Sequence, residues 1–310
     1  MTDAVAVAGA GLTGASWAGL FAAHGLAVRL YDIRPAALDP AVAQAAAAAR
    51  FLVDHGLADA TVAAGGLAAL TAEPDPAAAF DGVALVQECV VEDLETKRAV
   101  FTAADALAPP DALLATSSSG LSITAIQKAA SAPQRCLAAH PYNPPHLVPL
   151  VELAPGERTS AETMARAFAF YRRVGKEPVV VRGDVPGYIA NRLSAALWRE
   201  AVELVRSGVA SVAEVDRAVC EGPGLRWAVM GPHLLYHLGG GAGGIQGHLR
   251  HLSGVKESML RDLATWTEFP PDTADALAAG LTEEVTGRSL EQLVAERDEA
   301  LAAVVQARRR

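Results

Sequence analysis

The sequence predicts an α/β domain built on a parallel sheet, followed by an all-helical domain. Three observations lead there. The first 32 residues read strand, glycine loop, helix, strand; short apolar runs then alternate with helical stretches as far as residue 182; and beyond Asp184 the periodicity is helical throughout.

Taken in order, Val5–Ala8 is an apolar run suited to a buried strand, and Gly9-Ala10-Gly11-Leu12-Thr13-Gly14 follows it. A helix is expected over Ala15–His24, stopped by Gly25, and a second buried strand over Leu26–Tyr31, ending at Asp32. Pro40–Val53 is alanine-rich and therefore helical, alanine being the strongest helix former. Strands are expected at Val83–Cys89 and Ala112–Thr116, with a helix over Leu94–Leu107 between them. Two more, Leu137–His140 and Val148–Leu153, bracket the loop Pro141–Pro145, and the helix Ala161–Val174 and strand Pro178–Arg182 complete the first half. After Gly183-Asp184-Val185-Pro186-Gly187, helices are expected over Tyr188–Ser207 and Val212–Glu221. The second opens on Ser211 with Glu214 three residues on, the spacing of a capping box. The glycine-rich span Gly239–Gly244 interrupts, and amphipathic helices run on to the C-terminus. Domains are thus expected at residues 1–183 and 184–310.

Half of the 310 residues are hydrophobic and a fifth are charged, which supports a buried core and argues against disorder. With 26 basic and 35 acidic residues the net charge is −9, so a phosphate backbone is repelled and no nucleic-acid partner is expected. The tail Arg308-Arg309-Arg310 is too short for a binding arm. Cys89, Cys136 and Cys220 form no CxxC pair and no even framework, which points to a reducing compartment and to no metal site. No signal-peptide pattern opens the chain, and no run reaches the roughly 18 uninterrupted apolar residues of a membrane span. A soluble, cytoplasmic protein without membrane attachment is expected.

The glycines at 9, 11 and 14 spell GxGxxG directly after a strand and at the opening of a helix. Each has a physical reason. The first permits a tight turn, the second lets backbone approach a pyrophosphate, and the third allows close helix–strand packing, with helix N-terminal amides holding the anion. Gly9, Gly11, Leu12, Thr13 and Gly14 are therefore candidate cofactor-binding residues of a Rossmann-type dinucleotide-binding domain. Asp32, 18 residues after Gly14, is placed to accept hydrogen bonds from ribose hydroxyls and to repel a 2′-phosphate, so NAD is expected over NADP. Arg34 is the one feature pulling the other way. FAD shares the fingerprint, but a nicotinamide cofactor suits the next site better.

His140-Pro141-Tyr142-Asn143-Pro144 is followed, 12 residues after the histidine, by Glu152. A histidine ending one strand meets a glutamate in the next if the two strands lie side by side. The carboxylate then sets the imidazole tautomer and makes the ring a proton carrier. Hydride transfer at a hydroxyl-bearing carbon needs such a group for the hydroxyl proton. A purely structural histidine satisfies the same spacing.

The ordered set now includes GxGxxG, Gln87-Glu88-Cys89-Val90-Val91-Glu92 with Lys97, and Ser117-Ser118-Ser119. His140-Pro-Tyr-Asn143-Pro, Val151-Glu152 and Asp184-Val-Pro-Gly-Tyr-Ile-Ala-Asn191-Arg192-Leu193 complete it. It resembles the L-3-hydroxyacyl-CoA dehydrogenase family along nearly the whole chain, closest to the branch that includes L-gulonate 3-dehydrogenase and carnitine dehydrogenase. Gln87–Val90, Glu92-Asp-Leu-Glu and His140-Pro-Tyr-Asn-Pro-Pro look like the gulonate enzyme. Gly224-Leu-Arg226-Trp227-Ala, Met230-Gly231 and Tyr236–Gly241 look more like carnitine dehydrogenase. The resemblance implies His140 as general acid/base and Glu152 as its orienting partner. It also implies Ser119 and Asn191 at the reacting oxygen, and Glu92, Lys97 and Asn143, with Ser119, along the nicotinamide half of the cofactor. A homodimer formed through the helical domain is implied as well. Read as residues alone, Ser119 could instead cap the helix beginning near Ile123, Lys97 could lie on the surface, and Asn191 could bond a backbone carbonyl.

In the acyl-CoA members of that family, a serine and a lysine on the helix after the ribose acid contact CoA. Here Ala41–Arg50 holds no lysine and only Arg50 as a cation, which speaks against CoA. Arg226, beside Trp227, is a candidate clamp for a free carboxylate, an ordinary ion pair being its alternative. Trp227, Trp198 and Tyr236 are a candidate cage for a trimethylammonium group, or ordinary core. The expected activity is NAD-dependent oxidation of a small 3-hydroxy acid to its 3-oxo acid. A 3-hydroxyacyl-CoA dehydrogenase is the second reading. An NAD-binding structural or sensor protein is the third, against which the full set His140, Glu152, Ser119 and Asn191 argues.

Overall fold

Val5 and Val7 face one side of β1 (Ala4–Ala8), Ala6 and Ala8 face the other, and all four are fully buried. Such a strand has to run through the middle of a sheet covered on both faces. In the computed structural model, which describes residues 4–309, β1 pairs in parallel with β2 (Ala27–Tyr31) on one side and β4 (Leu85–Glu88) on the other. Met1–Asp3, at the start of the segment read for a signal peptide, and Arg310 of the basic tail lie outside the described residues.

The eight-stranded sheet runs β3-β2-β1-β4-β5-β6-β7-β8. Here β3 is Leu70–Ala72, β5 Leu113–Thr116, β6 Cys136–Pro141, β7 Leu150–Pro155 and β8 Glu177–Val180. Neighbours are parallel except β6 and β7. The order of the first six strands is that of the Rossmann fold, and its reversal between β1 and β4 opens the crevice where ligands bind. This is the architecture expected for the first half.

Helices α1 (Leu12–Ala23), α2 (Leu38–Asp54) and α7 (Ala161–Arg173) cover one face, and α4 (Pro76–Phe80), α5 (Leu94–Leu107) and α6 (Ile123–Gln127) the other. A Cβ on Gly19 would lie 2.6 Å from the Ala45 carbonyl oxygen, so α1 and α2 approach to backbone distance. Residues 35–54 are long and apolar enough to cross a membrane by length and composition. Yet Ala41, Ala45, Ala49 and Leu52 form a buried stripe, which seats α2 as a core helix of this domain.

Residues 54–82, for which no element was expected, form α3 (Ala60–Ala68), β3 and α4. Asp59 caps α3 through the Val62 amide, and Asp75 caps α4 ahead of Pro76. An edge strand of three residues carries too little alternation to be read. Helix α1 also starts three residues earlier than expected, inside the glycine loop, so Leu12 and Thr13 belong to its first turn.

The chain divides into two compact units. The first extends as far as Arg192 and is rejoined by the segment from Asp298; the second is Leu193–Arg297. The expectation had cut at 183/184 and assigned everything beyond to the second domain. Ala302 and Val305 explain the return, being buried in the core of the first unit, where Arg309 donates to the Leu57 carbonyl at 3.0 Å. An amphipathic helix advertises an apolar face, not which core that face completes.

The remaining helices are α8 (Ala190–Arg206), α9 (Val212–Val219), α10 (Leu225–Val229), α11 (Pro232–Gly239), α12 (Gly244–Asp262), α13 (Thr273–Glu284) and α14 (Leu290–Arg308). Ser211 and Glu214 form the expected capping box of α9. The glycine-rich span makes a tight helix crossing, since a Cβ on Gly240 would fall 1.7 Å from the Gly244 carbonyl oxygen. On α8, Glu200 accepts from the Ala264 amide at 2.9 Å and Glu203 from the Trp266 indole at 3.1 Å, fastening the segment after α12.

Candidate active site

The glycine loop lies at the carboxyl end of β1, at the sheet's reversal point. Gly9 has φ +113°, and a Cβ there would stand 2.6 Å from the Cys89 carbonyl oxygen; a Cβ on Gly14 would stand 1.8 Å from that of Gly9. The protein's own backbone therefore demands both. A Cβ on Gly11 would meet nothing within 4 Å, so its missing side chain leaves open space toward the crevice. No side chain caps α1, so the amides of its first turn remain for an anion. A cleft of about 490 Å³ opens here, lined by Gly9, Gly11, Asp32, Arg34, Cys89 and Val90 among others.

Asp32 directly follows β2, with Oδ2 accepting from the Ala10 amide at 2.8 Å and Oδ1 from the Arg34 amide at 2.9 Å. Burial raises its carboxyl, but the Arg34 side chain and these amides outweigh burial and hold it below the usual carboxylate range. It is thus an anion beside the glycine loop. Arg34 is exposed and pairs with that carboxylate at 3.2 Å. The open space at Gly11, uncapped helix amides and an ionised acid beside the cleft fit a dinucleotide with free ribose hydroxyls.

The ends of β4 and β5 are joined by a charged network. Lys97, expected along the cofactor, is not a surface residue: it is 1% exposed, with Nζ 2.8 Å from Glu88 Oε1 and 3.3 Å from Glu92 Oε2. Glu88 also accepts from the Val90 amide and the Thr116 hydroxyl. Burial pushes the Glu88 carboxyl up, opposed by Lys97. Glu92 accepts from the Ser118 hydroxyl and from the amides of Gly120 and Leu121, at 3.0 and 3.2 Å. These bonds outweigh burial and lower its carboxyl. Glu92 therefore shapes the loop that carries Ser119. Ser119 is exposed and does not cap α6; Ser122 does, accepting from the Ala125 amide.

His140 and Glu152 are register partners on β6 and β7, and His140 Nδ1 lies 3.0 Å from Glu152 Oε2. Both are buried. The second oxygen of Glu152 accepts from the amides of Ile189 and Ala190, at 2.8 and 2.9 Å. Burial raises the Glu152 carboxyl, but His140 and the two amides more than compensate and leave it lowered. Asn191 follows directly on Ala190 and is half-buried, and Asn143 is exposed three residues after His140. Neither side chain makes a hydrogen bond among the described residues.

Arg226 and Trp227 lie on α10, both exposed, and Arg226 forms no ion pair among the described residues. The three candidate cage aromatics form no ring pair with one another among the described residues. Trp198 packs edge-on against Phe269 at 5.4 Å, and Tyr236 lies against His248 with Lys256 over its ring at 4.7 Å. Their spacing along the helices said nothing about which neighbours they would find. Glu88 and Tyr188 were not singled out from the sequence, although both lie inside the quoted motifs; Lys176, buried and bonded to the loop after β6, carried no signal at all.

Residues 4–185 match the family model described as 3-hydroxyacyl-CoA dehydrogenase, NAD binding domain, and residues 187–277 match its C-terminal domain model. The chain belongs to the 3-hydroxyacyl-CoA dehydrogenase family. This dehydrogenase is 41% identical over 304 residues to L-carnitine dehydrogenase of Streptomyces coelicolor, covering 98% of this chain and 94% of the relative. It is 40% identical over 303 residues to the L-carnitine dehydrogenase of Streptomyces griseus, covering 98% and 89%. Among solved structures, 5-formyl-3-hydroxy-2-methylpyridine 4-carboxylic acid 5-dehydrogenase, described as an NAD+ dependent dismutase, matches with TM-score 0.86 at 32% identity. That match covers 100% of this chain and 99% of the other. The dehydrogenase is an NAD-dependent oxidoreductase, and the reading as a non-catalytic structural or sensor protein is set aside.

Proposed function

We propose that this dehydrogenase oxidises the 3-hydroxyl of a small free hydroxy acid, L-carnitine first among the candidates, to the 3-oxo acid. The observation that carries the reading is the 3.0 Å bond between His140 Nδ1 and Glu152 Oε2. An ionised carboxylate only accepts, so the proton on the ring sits at Nδ1 and Nε2 keeps a lone pair. His140 Nε2 then takes the proton of the substrate hydroxyl, and Glu152 stabilises the imidazolium that forms. A bound NAD would supply the hydride acceptor for the carbinol carbon. Ser119 and Asn191 are proposed to donate to the reacting oxygen, and Glu92, Lys97 and Asn143 to serve the nicotinamide half of the cofactor. Gly9, Gly11, Leu12, Thr13, Gly14 and Asp32 would hold the pyrophosphate and ribose.

A free acid is favoured over a CoA ester because α2 carries Arg50 as its only cation. The similarity to carnitine dehydrogenases across nearly the whole chain supports the same choice. Arg226 is assigned to the substrate carboxylate, with Trp227 beside it. We assign cofactor binding to the first of the two units and subunit contacts to Leu193–Arg297, in a cytoplasmic homodimer. The exposed apolar side chains of Leu225, Val229 and Leu260 support the dimer.

NADH formation measured with L-carnitine, L-gulonate, 3-hydroxybutyrate and 3-hydroxybutyryl-CoA tests the reading. Turnover of a free acid, L-carnitine above all, is expected. Turnover of the CoA ester alone would overturn it in favour of an acyl-CoA dehydrogenase.

A further inference from the structure

We propose that Tyr188 is a positioning residue for the proton-transfer pair, its ring fixing His140 and its backbone fixing Glu152. The inference rests on His140 being the proton acceptor, as argued above.

Tyr188 has φ +47°, the one left-handed non-glycine residue among those described. Bulky side chains rarely adopt this conformation, and it persists only where the surroundings enforce it. The surroundings do so here. Gly187, at φ +74°, donates from its amide to the Ser119 carbonyl at 3.2 Å, and the Tyr188 amide donates to the Val185 carbonyl at 3.1 Å. Upstream, Asp184 accepts from the Ser122 hydroxyl and from the Thr124 amide. The segment is thus tied to the loop that bears Ser119.

Two consecutive left-handed residues turn the chain so that the next two amides, Ile189 and Ala190, converge on one oxygen of Glu152. The other oxygen of that carboxylate holds His140. Meanwhile the Tyr188 ring, itself 2% exposed, lies 5.3 Å from the His140 ring centroid at a 38° tilt. One residue therefore touches both halves of the pair, the imidazole through its ring and the carboxylate through the turn it sustains. Its hydroxyl makes no hydrogen bond among the described residues, and burial pushes it above the ordinary phenol range. The ring is the part of the side chain that reaches His140.

The test compares Tyr188→Phe, Tyr188→Ala and Tyr188→Gly with His140→Gln and the double variant Tyr188→Ala/His140→Gln, using NAD+ and L-carnitine. If only 3-hydroxybutyryl-CoA turns over, it serves as substrate instead. Tyr188→Phe is expected to keep kcat and its pH profile. Tyr188→Ala should lower kcat by about 10- to 100-fold and displace the acid limb of the profile, with the Kd for NADH within about twofold. Tyr188→Gly relaxes the backbone without restoring the ring, so it should recover part of that loss. In the His140→Gln background Tyr188→Ala should cost little more, because the residue acts through His140. An unchanged kcat and acid limb in both Tyr188→Ala and Tyr188→Gly would overturn the proposal, as would full additivity in the double variant. Should Tyr188→Ala fail to fold, seen as lost NADH binding, Tyr188→Leu carries the same expectation. Normal turnover by His140→Gln would instead sink the underlying reading and leave these outcomes distinguishable from it.

Discussion

His140 and Glu152 stand directly opposite each other across the antiparallel pair β6 and β7. Directly opposed residues project to the same face, so the contact between them follows from register; a slip by one residue would send them to opposite faces.

Substituting either partner should therefore separate chemistry from cofactor binding. His140→Gln is expected to lower kcat by about 10²- to 10⁴-fold while the Kd for NADH changes little. Equal loss of NADH binding, measured by fluorescence titration, would remove His140 from the proton-transfer role.

Glu152 also makes an acid-stability prediction. Its carboxyl is lowered in the folded protein, chiefly because His140 and two amides overcome burial. The folded state then binds that proton less tightly than the unfolded chain does. The contribution is present above the unfolded value of about 4.3 and is lost as pH falls through the lower folded one. Glu152→Gln should flatten this part of the acid-unfolding profile; an identical slope in wild type and variant would contradict it.

Asp32→Ala should relax the preference for NAD, raising the NADP-to-NAD ratio of kcat/KM by about 10- to 100-fold. The variant removes the buried anion that repels a 2′-phosphate and releases Arg34, now paired with it at 3.2 Å. An unchanged ratio would show that the carboxylate faces no ribose.

Arg226→Met should raise KM for a carboxylate substrate by about 10- to 100-fold with kcat less affected, as expected when a bidentate clamp is lost. An unaltered KM would take Arg226 out of the site.

Lys176 lacks a carboxylate partner among the described residues. Its Nζ donates to the carbonyls of Pro145 and Val148, at 2.8 and 2.6 Å, and lies 5.0 Å from the Trp17 ring. Burial pushes its ammonium down to about 7. Between that value and the unfolded one near 10.4 the unfolded chain holds more protons, so this group makes stability rise with pH. Lys176→Met should flatten that rise in urea midpoints measured across the window, whatever it does to absolute stability.

Much of this was legible in the residues because it is local. GxGxxG after a strand, Asp32 at the end of the next, and the capping box at Ser211 depend on backbone sterics and short-range hydrogen bonds. Any chain with those residues meets the same constraints. The meeting of His140 and Glu152 could be posed as a condition on neighbouring strands, since only the identity of the neighbour was missing.

What needed the folded molecule was every choice of distant partner. Burial of Lys97 between Glu88 and Glu92, return of Ala302 and Val305 to the first core, dispersal of Trp198 and Tyr236 to separate neighbours, and the forced backbone of Tyr188 all belong here. Periodicity states that a face is apolar and composition that a charge exists. Which surface covers the one and which counter-charge meets the other is settled by packing the whole chain at once.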